Sequence, residues 1–137
     1  MNAVVGAVAC VWLGMVVAIS FLEAPLKFRA PGITLALGLG IGRVVFAALN
    51  RVEVVLAVVV LLAAGLGPRP SGVVVAGTVA IGALAVELIA VRPALKRRSD
   101  QVLAGEQGAR SRAHLAYIAL EVVKVLALGA LAWTALR

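Results

Sequence analysis

Residues 114–133 read HLAYIALEVVKVLALGALAW. The run is apolar enough for a bilayer, yet Glu121 and Lys124 stand near its middle. His114, Tyr117, Glu121 and Lys124 are spaced by three or four residues, so on a helix they share one face. The opposite face is apolar. Such a helix turns one polar stripe toward other protein rather than toward lipid. If hydrocarbon begins near Leu115, Glu121 lies roughly 9 Å deep and Lys124 near the midplane.

The rest of the chain supplies the company this helix needs. Its 137 residues are 64% hydrophobic, with a mean hydropathy of +1.12. A soluble domain of this size could not hide so much apolar surface. A hydrocarbon core about 30 Å thick needs about 20 helical residues. Four segments meet that length, at 3–22, 45–66, 72–91 and 113–135. The expected fold is all-α, a single four-span membrane domain over 1–137. The first segment is expected to be a span and not a signal peptide, because the first basic residue is Lys27 and the apolar run is too long.

The formal charge of +7 is not a nucleic-acid footprint, because of where it sits. Lys27, Arg29 and Arg43 flank one loop, expected at 23–44. Arg92, Lys96, Arg97, Arg98, Arg110 and Arg112 flank another, expected at 92–112. The turn between spans two and three has only Arg69, and the C-terminus only Arg137. This is the positive-inside pattern. It predicts basic loops in the cytoplasm, able to touch anionic lipid headgroups, and both termini outside. The Ala, Val, Gly, Leu and Arg-rich composition suggests a bacterial plasma membrane. Cys10 is the only cysteine, so no intrachain disulfide or cysteine metal cage can form.

Local signals set the joints. Gly6, Cys10, Gly14 and Ala18 make a four-residue stripe of small side chains on span one, a helix-packing signal that does not name its partner. In EAPLKFRAPG, residues 23–32, Pro25 and Pro31 oppose helix continuation. Residues 32–67 would make one helix on the order of 50 Å long. Gly38, Gly40 and Gly42 weaken it, so a break is expected near Arg43, with 33–42 an interfacial or re-entrant approach. The Gly38-x-Gly40-x-Gly42 run does not indicate nucleotide binding, since no strand precedes it and no Lys-Ser/Thr follows. GLGPRPSG, residues 65–72, reads as a tight hairpin with Ser71 capping the next helix. Span three carries Gly77, Ala80, Gly82 and Ala83 for close packing. Arg92-Pro93 is expected to close it, and the polar segment 94–109 to be partly helical. Ser111 is placed to cap span four. No internal repeat is evident.

Span two cannot start after Glu53, because Val54–Leu66 is too short. Asn50, Arg51 and Glu53 are therefore drawn into the bilayer, Asn50 and Glu53 on one face. Glu87 lies roughly 7 Å inside the end of span three at Arg92. The expectation is a polar layer of Glu53, Glu87 and Glu121 with Arg51, Lys124 and either Arg43 or Arg92, with Tyr117 and His114 beside it. Buried acids either pair with a cation or take up a proton. Three readings stay open: structural ion pairs, a route for a proton, cation or small polar solute, and a contact surface for another membrane helix. His114 is a relay, a metal ligand or an interfacial hydrogen-bonding group. No Ser/His/Asp set, paired histidines or cysteine cluster supports an enzyme, and one histidine cannot supply two haem ligands. No cofactor is expected.

Four junctions carry a family likeness: FLEAPLKF at the end of span one, GLGIGRVVFAALNRVE leading into span two, VRPALKRR after span three and RSRAHLAYIALE opening span four. In these and in layout the chain resembles the transmembrane-protein-205-like family of small four-helix membrane proteins. The resemblance implies a four-span bundle without established enzymatic activity, whose eukaryotic members are linked to drug resistance and vesicle traffic. It would make His114 the family's histidine near the start of span four, and it implies no catalytic set. The expected function is a homo-oligomeric transporter or channel. The alternative is a non-catalytic accessory subunit of a larger membrane complex.

Overall fold

A computed structural model of the protein describes residues 1–105 and 112–137. All elements among them are helical. Helix α1 runs Asn2–Val16, continues as a π-helical stretch over Val17–Glu23 and returns to α geometry over Ala24–Lys27. Helix α2 spans Leu35–Leu66. Helix α3 runs Ser71–Val86, passes through a π-helical stretch at Glu87–Val91 and ends with Arg92–Leu103. Helix α4 spans Arg112–Leu136. Four helices are thus long and apolar enough to cross a membrane, as the sequence predicts. They fit a multi-pass membrane protein.

Two joints differ from expectation for one reason. Neither Pro25 nor Pro93 ends its helix. A proline lacks an amide hydrogen, and its ring collides with the carbonyl four residues back. In both helices a π stretch comes just before the proline, and its wider turn moves that carbonyl aside. The helices therefore run on past residues 22 and 91, where the sequence suggests they stop.

The break expected near Arg43 is also absent, since α2 is continuous for 32 residues. Thr34 opens it by accepting a hydrogen bond from the Leu37 amide at 3.1 Å. Its glycines serve packing instead. A Cβ on Gly38 would collide with the Phe28 ring, and one on Gly42 would sit 3.0 Å from Lys27 Nζ. The chain turns between α1 and α2 at Gly32, whose φ of +81° suits glycine. At the other end Arg69 closes α2, donating from Nε to the Ala64 carbonyl and from Nη2 to the Gly65 carbonyl, each at 3.2 Å. Ser71 is the first helical residue of α3 and makes no side-chain cap; Pro70 takes the capping position. The expected Ser111 cap, Arg110 and the 106–109 part of the basic loop lie outside the described residues.

Helix α4 packs between α1 and α3, while α2 packs on α1. The bundle has two ends. At the hairpin end Met1 approaches Gly67, and Thr134 approaches Gly72. At the basic end Arg43 of α2 pairs with Asp100 of α3 at 2.8 Å. The hairpin half holds a dry core of Val5, Ala9, Val60, Ala80, Leu128 and Leu131. The basic half holds a smaller cluster of Phe46, Leu49, Val91 and Tyr117.

The packing face of α1 is Val5, Ala9, Trp12 and Val16, not the predicted small-residue stripe. Of that stripe only Gly6 is covered, by the Leu136 side chain; Cys10, Gly14 and Ala18 are exposed. On α3, Gly77, Ala80 and Ala83 pack inward as expected, whereas Gly82 faces out.

Candidate functional site

At the junction of the two halves Lys124 is completely buried. Three carboxylates from three helices surround its ammonium. Nζ lies 2.6 Å from Glu53 Oε1 of α2, 2.8 Å from Glu87 Oε2 of α3 and 2.5 Å from Glu121 Oε1 of α4. None of the three glutamates is more than 2% exposed. An ammonium has three donors, and the number of acids around it matches.

Helix α1 completes the shell. Trp12 Nε1 donates to Glu53 Oε1 at 2.9 Å. Ser20 Oγ donates to Glu121 Oε2 at 2.6 Å and lies 3.0 Å from the Tyr117 hydroxyl. Ser20 has one hydrogen and gives it to Glu121. The Tyr117 hydroxyl is therefore the donor to Ser20, making a directed chain from Tyr117 through Ser20 to Glu121. All four helices thus contribute a polar side chain to one site.

Toward the basic end the site is roofed. The Arg92 guanidinium lies 4.8 Å from the Phe46 ring centroid and 5.5 Å from that of Tyr117. The two rings meet edge to face, with centroids 5.5 Å apart. Asn50, its amide nitrogen turned toward Glu53, donates to Glu53 Oε2 at 3.1 Å and accepts from Arg92 Nε at 2.7 Å. A second chain therefore links Arg92 through Asn50 and Glu53 to Lys124.

The acids outnumber their partners. Glu87 Oε1 and Glu121 Oε1 have no donor in hydrogen-bonding geometry, so the close Lys124–Glu121 contact is an ion pair without an aligned hydrogen bond. Fully ionised, the three acids face the Lys124 ammonium at their centre and the Arg92 guanidinium at the roof, which leaves one negative charge in excess.

The structure brings together Glu53, Glu87, Glu121, Lys124 and Tyr117 and, of the two alternatives Arg43 and Arg92, places Arg92 beside them. Two expected members stand apart. Arg51 is exposed. It is two residues from Glu53, so about 200° of helical rotation separates them, and only one can point inward. His114 is also exposed, two turns and about 10 Å from Glu121 along α4. The inward stripe begins at Tyr117. Arg43, the alternative to Arg92, is taken by Asp100 at the rim.

Trp12 and Ser20 are the members of the cluster that a reading by charge misses. A signal for Trp12 was present, since tryptophan favours the interfaces of a bilayer and a mid-span indole N–H needs a buried acceptor. Ser20 is the one hydroxyl side chain of its apolar run. No protein-family model matches the chain, and comparison with curated proteins and with solved structures gives no match.

Proposed function

We propose that the protein is a small multi-pass transporter or channel whose polar cluster binds a proton, a cation or a small polar solute. The observation that carries this is the excess of acids. One ammonium needs one carboxylate to form a neutral buried pair, yet Lys124 has three. With the Arg92 guanidinium counted, one negative charge remains, and at low dielectric a bound proton or cation would offset its cost. A site that requires a mobile positive charge for neutrality is suited to taking one up and releasing it. The hairpin half is packed with apolar side chains, so the basic end is the side from which the cluster is loaded, and passage to the other side requires the helices of that half to part.

On the positive-inside rule the basic end is cytoplasmic and both termini are outside. The composition favours a bacterial plasma membrane, and a homo-oligomer is proposed because four short helices barely surround a pathway alone. The junction motifs quoted above support membership of the transmembrane-protein-205-like family. The test is flux into vesicles containing the purified protein, driven by proton, sodium or potassium gradients. Glu121→Gln should abolish flux while the protein still assembles. Undiminished flux in this variant would remove the cluster from the transport route.

A second reading, a non-catalytic subunit of a larger complex, is favoured by α1. Its Cys10, Gly14 and Ala18 face is uncovered by the chain's own helices. Gentle extraction and native mass analysis separate the two. A stoichiometric foreign partner supports the subunit, and a homo-oligomer supports the transporter.

A further inference from the structure

We infer that the species handled by the cluster is the proton, and that it reaches Glu121 from the basic end along the hydroxyls of Tyr117 and Ser20. This rests on the transport reading above and narrows it to one substrate and one route.

Three observations carry the choice. First, the centre of the acid cage is filled by Lys124 Nζ, at 2.8 Å or less from all three carboxylates. A metal cation would need several oxygen ligands in that same space, whereas a proton needs only an oxygen lone pair. Second, two buried acid oxygens around the same ammonium, Glu87 Oε1 and Glu121 Oε1, have no aligned hydrogen-bond donor. A proton on either carboxyl would supply the missing donor. Third, the chain from Tyr117 to Ser20 to Glu121 is already directed inward, each hydroxyl donating toward the acid.

The step balances without leaving a charged hydroxyl. Ser20 passes its hydrogen to Glu121 Oε2 and receives the Tyr117 hydrogen. Tyr117 is replenished by a proton from the basic side. One proton moves inward, and both hydroxyls end as they began except for orientation. The groups that set the field at Glu121 are Lys124 on its own helix, Glu87 and Arg92 from α3, Glu53 from α2 and the uncharged Ser20 and Trp12 from α1. The π-helical stretch Val17–Glu23 positions Ser20, a location typical of functional π turns.

The experiment uses the full chain in phospholipid vesicles with a pH-sensitive dye inside and the membrane potential clamped. The expected result is proton entry that sodium and potassium gradients neither drive nor alter, and that slows when the medium is changed to D2O. Ser20→Ala should slow it by about a hundredfold or more, the loss of one positioned proton-transfer group, and Ser20→Thr should restore it. Infrared spectra should show a protonated carboxylic acid band in the wild type that shifts in Ser20→Ala and disappears in Glu121→Gln. Sodium or potassium flux with unchanged internal pH would overturn the proton assignment and leave the transport reading standing. Proton flux indifferent to D2O, or to Ser20→Ala with an unshifted band, would overturn the route. No flux of any ion would overturn the transport reading itself. The D2O comparison needs no variant, so a Ser20→Ala chain that fails to assemble does not remove the test.

Discussion

Lys124 and Leu128 stand one turn apart on α4, and both are fully buried. They belong to halves built on different principles. Toward the hairpin end, Leu128 sits among alanines, valines and leucines whose small side chains let the helices approach. That half needs no particular partner at any position, only fit. Toward the basic end, Lys124 is held by three named oxygens on three helices. In lipid, apolar packing gains little from expelling side chains from the solvent, so fit and polar bonds decide association. The difference teaches that one half is a rigid, tolerant plug, and the other a register-specific site with the two π stretches beside it.

The largest expected effect comes from removing the ammonium. Lys124→Met leaves three buried carboxylates facing one another, and should cost about 3–5 kcal/mol, as for a broken buried pair. Reversible unfolding in detergent measures it. Replacing the whole cluster, with Glu53→Gln, Glu87→Gln, Glu121→Gln and Lys124→Met together, should recover most of the assembly but none of the flux. If the fourfold variant still carries protons, the charged half is structural and the contrast with the apolar half loses its functional meaning.

Leu128→Ala probes the plug one turn away. In water a buried Leu→Ala change costs about 2–5 kcal/mol. Lipid is as apolar as the core, so the transfer part largely disappears and the cavity part remains, about 1–2 kcal/mol. Proton flux should be unchanged on the transport reading, since Leu128 offers the cluster no hydrogen bond or charge. A leak in the direction of the gradient would show that the hairpin half also forms part of the barrier that controls the route.

The same division explains what the sequence made legible. Spans, hairpin and basic end follow from hydropathy and charge, which each segment carries by itself. Glu53, Glu87, Glu121 and Lys124 were found because charge within an apolar run is conspicuous. Depth alone assigns Arg51 to the layer, but its helical phase puts it on the outer face. Trp12 and Ser20 stayed hidden because an indole and a hydroxyl in a span have many uses, and their acceptors lie 41 and 101 residues away. The π stretches were invisible for a related reason. Proline predicts an interruption of α geometry, which is present, but only tertiary packing decides whether the helix ends or widens by one residue per turn. The glycines of α2 mislead in the same way: helix propensity disfavours them, and the Phe28 ring uses the space they leave.

The smallest effect should come from Arg43→Ala. Arg43 and Asp100 are 2.8 Å apart, a distance like those around Lys124, but their side chains are 34% and 54% exposed. Water and salt screen such a pair, so its loss should cost about 0–1 kcal/mol and less still at high ionic strength. It also ties α2 to the end of α3 beyond the π stretch, so it tests whether the basic rim works with the cluster or merely surrounds it. A rim that only surrounds predicts unchanged flux in Arg43→Ala at every salt concentration. A flux change that grows as salt is lowered would show that the rim pair holds α3 against α2 during exchange. The register-specific half would then extend from Lys124 to the rim at Arg43.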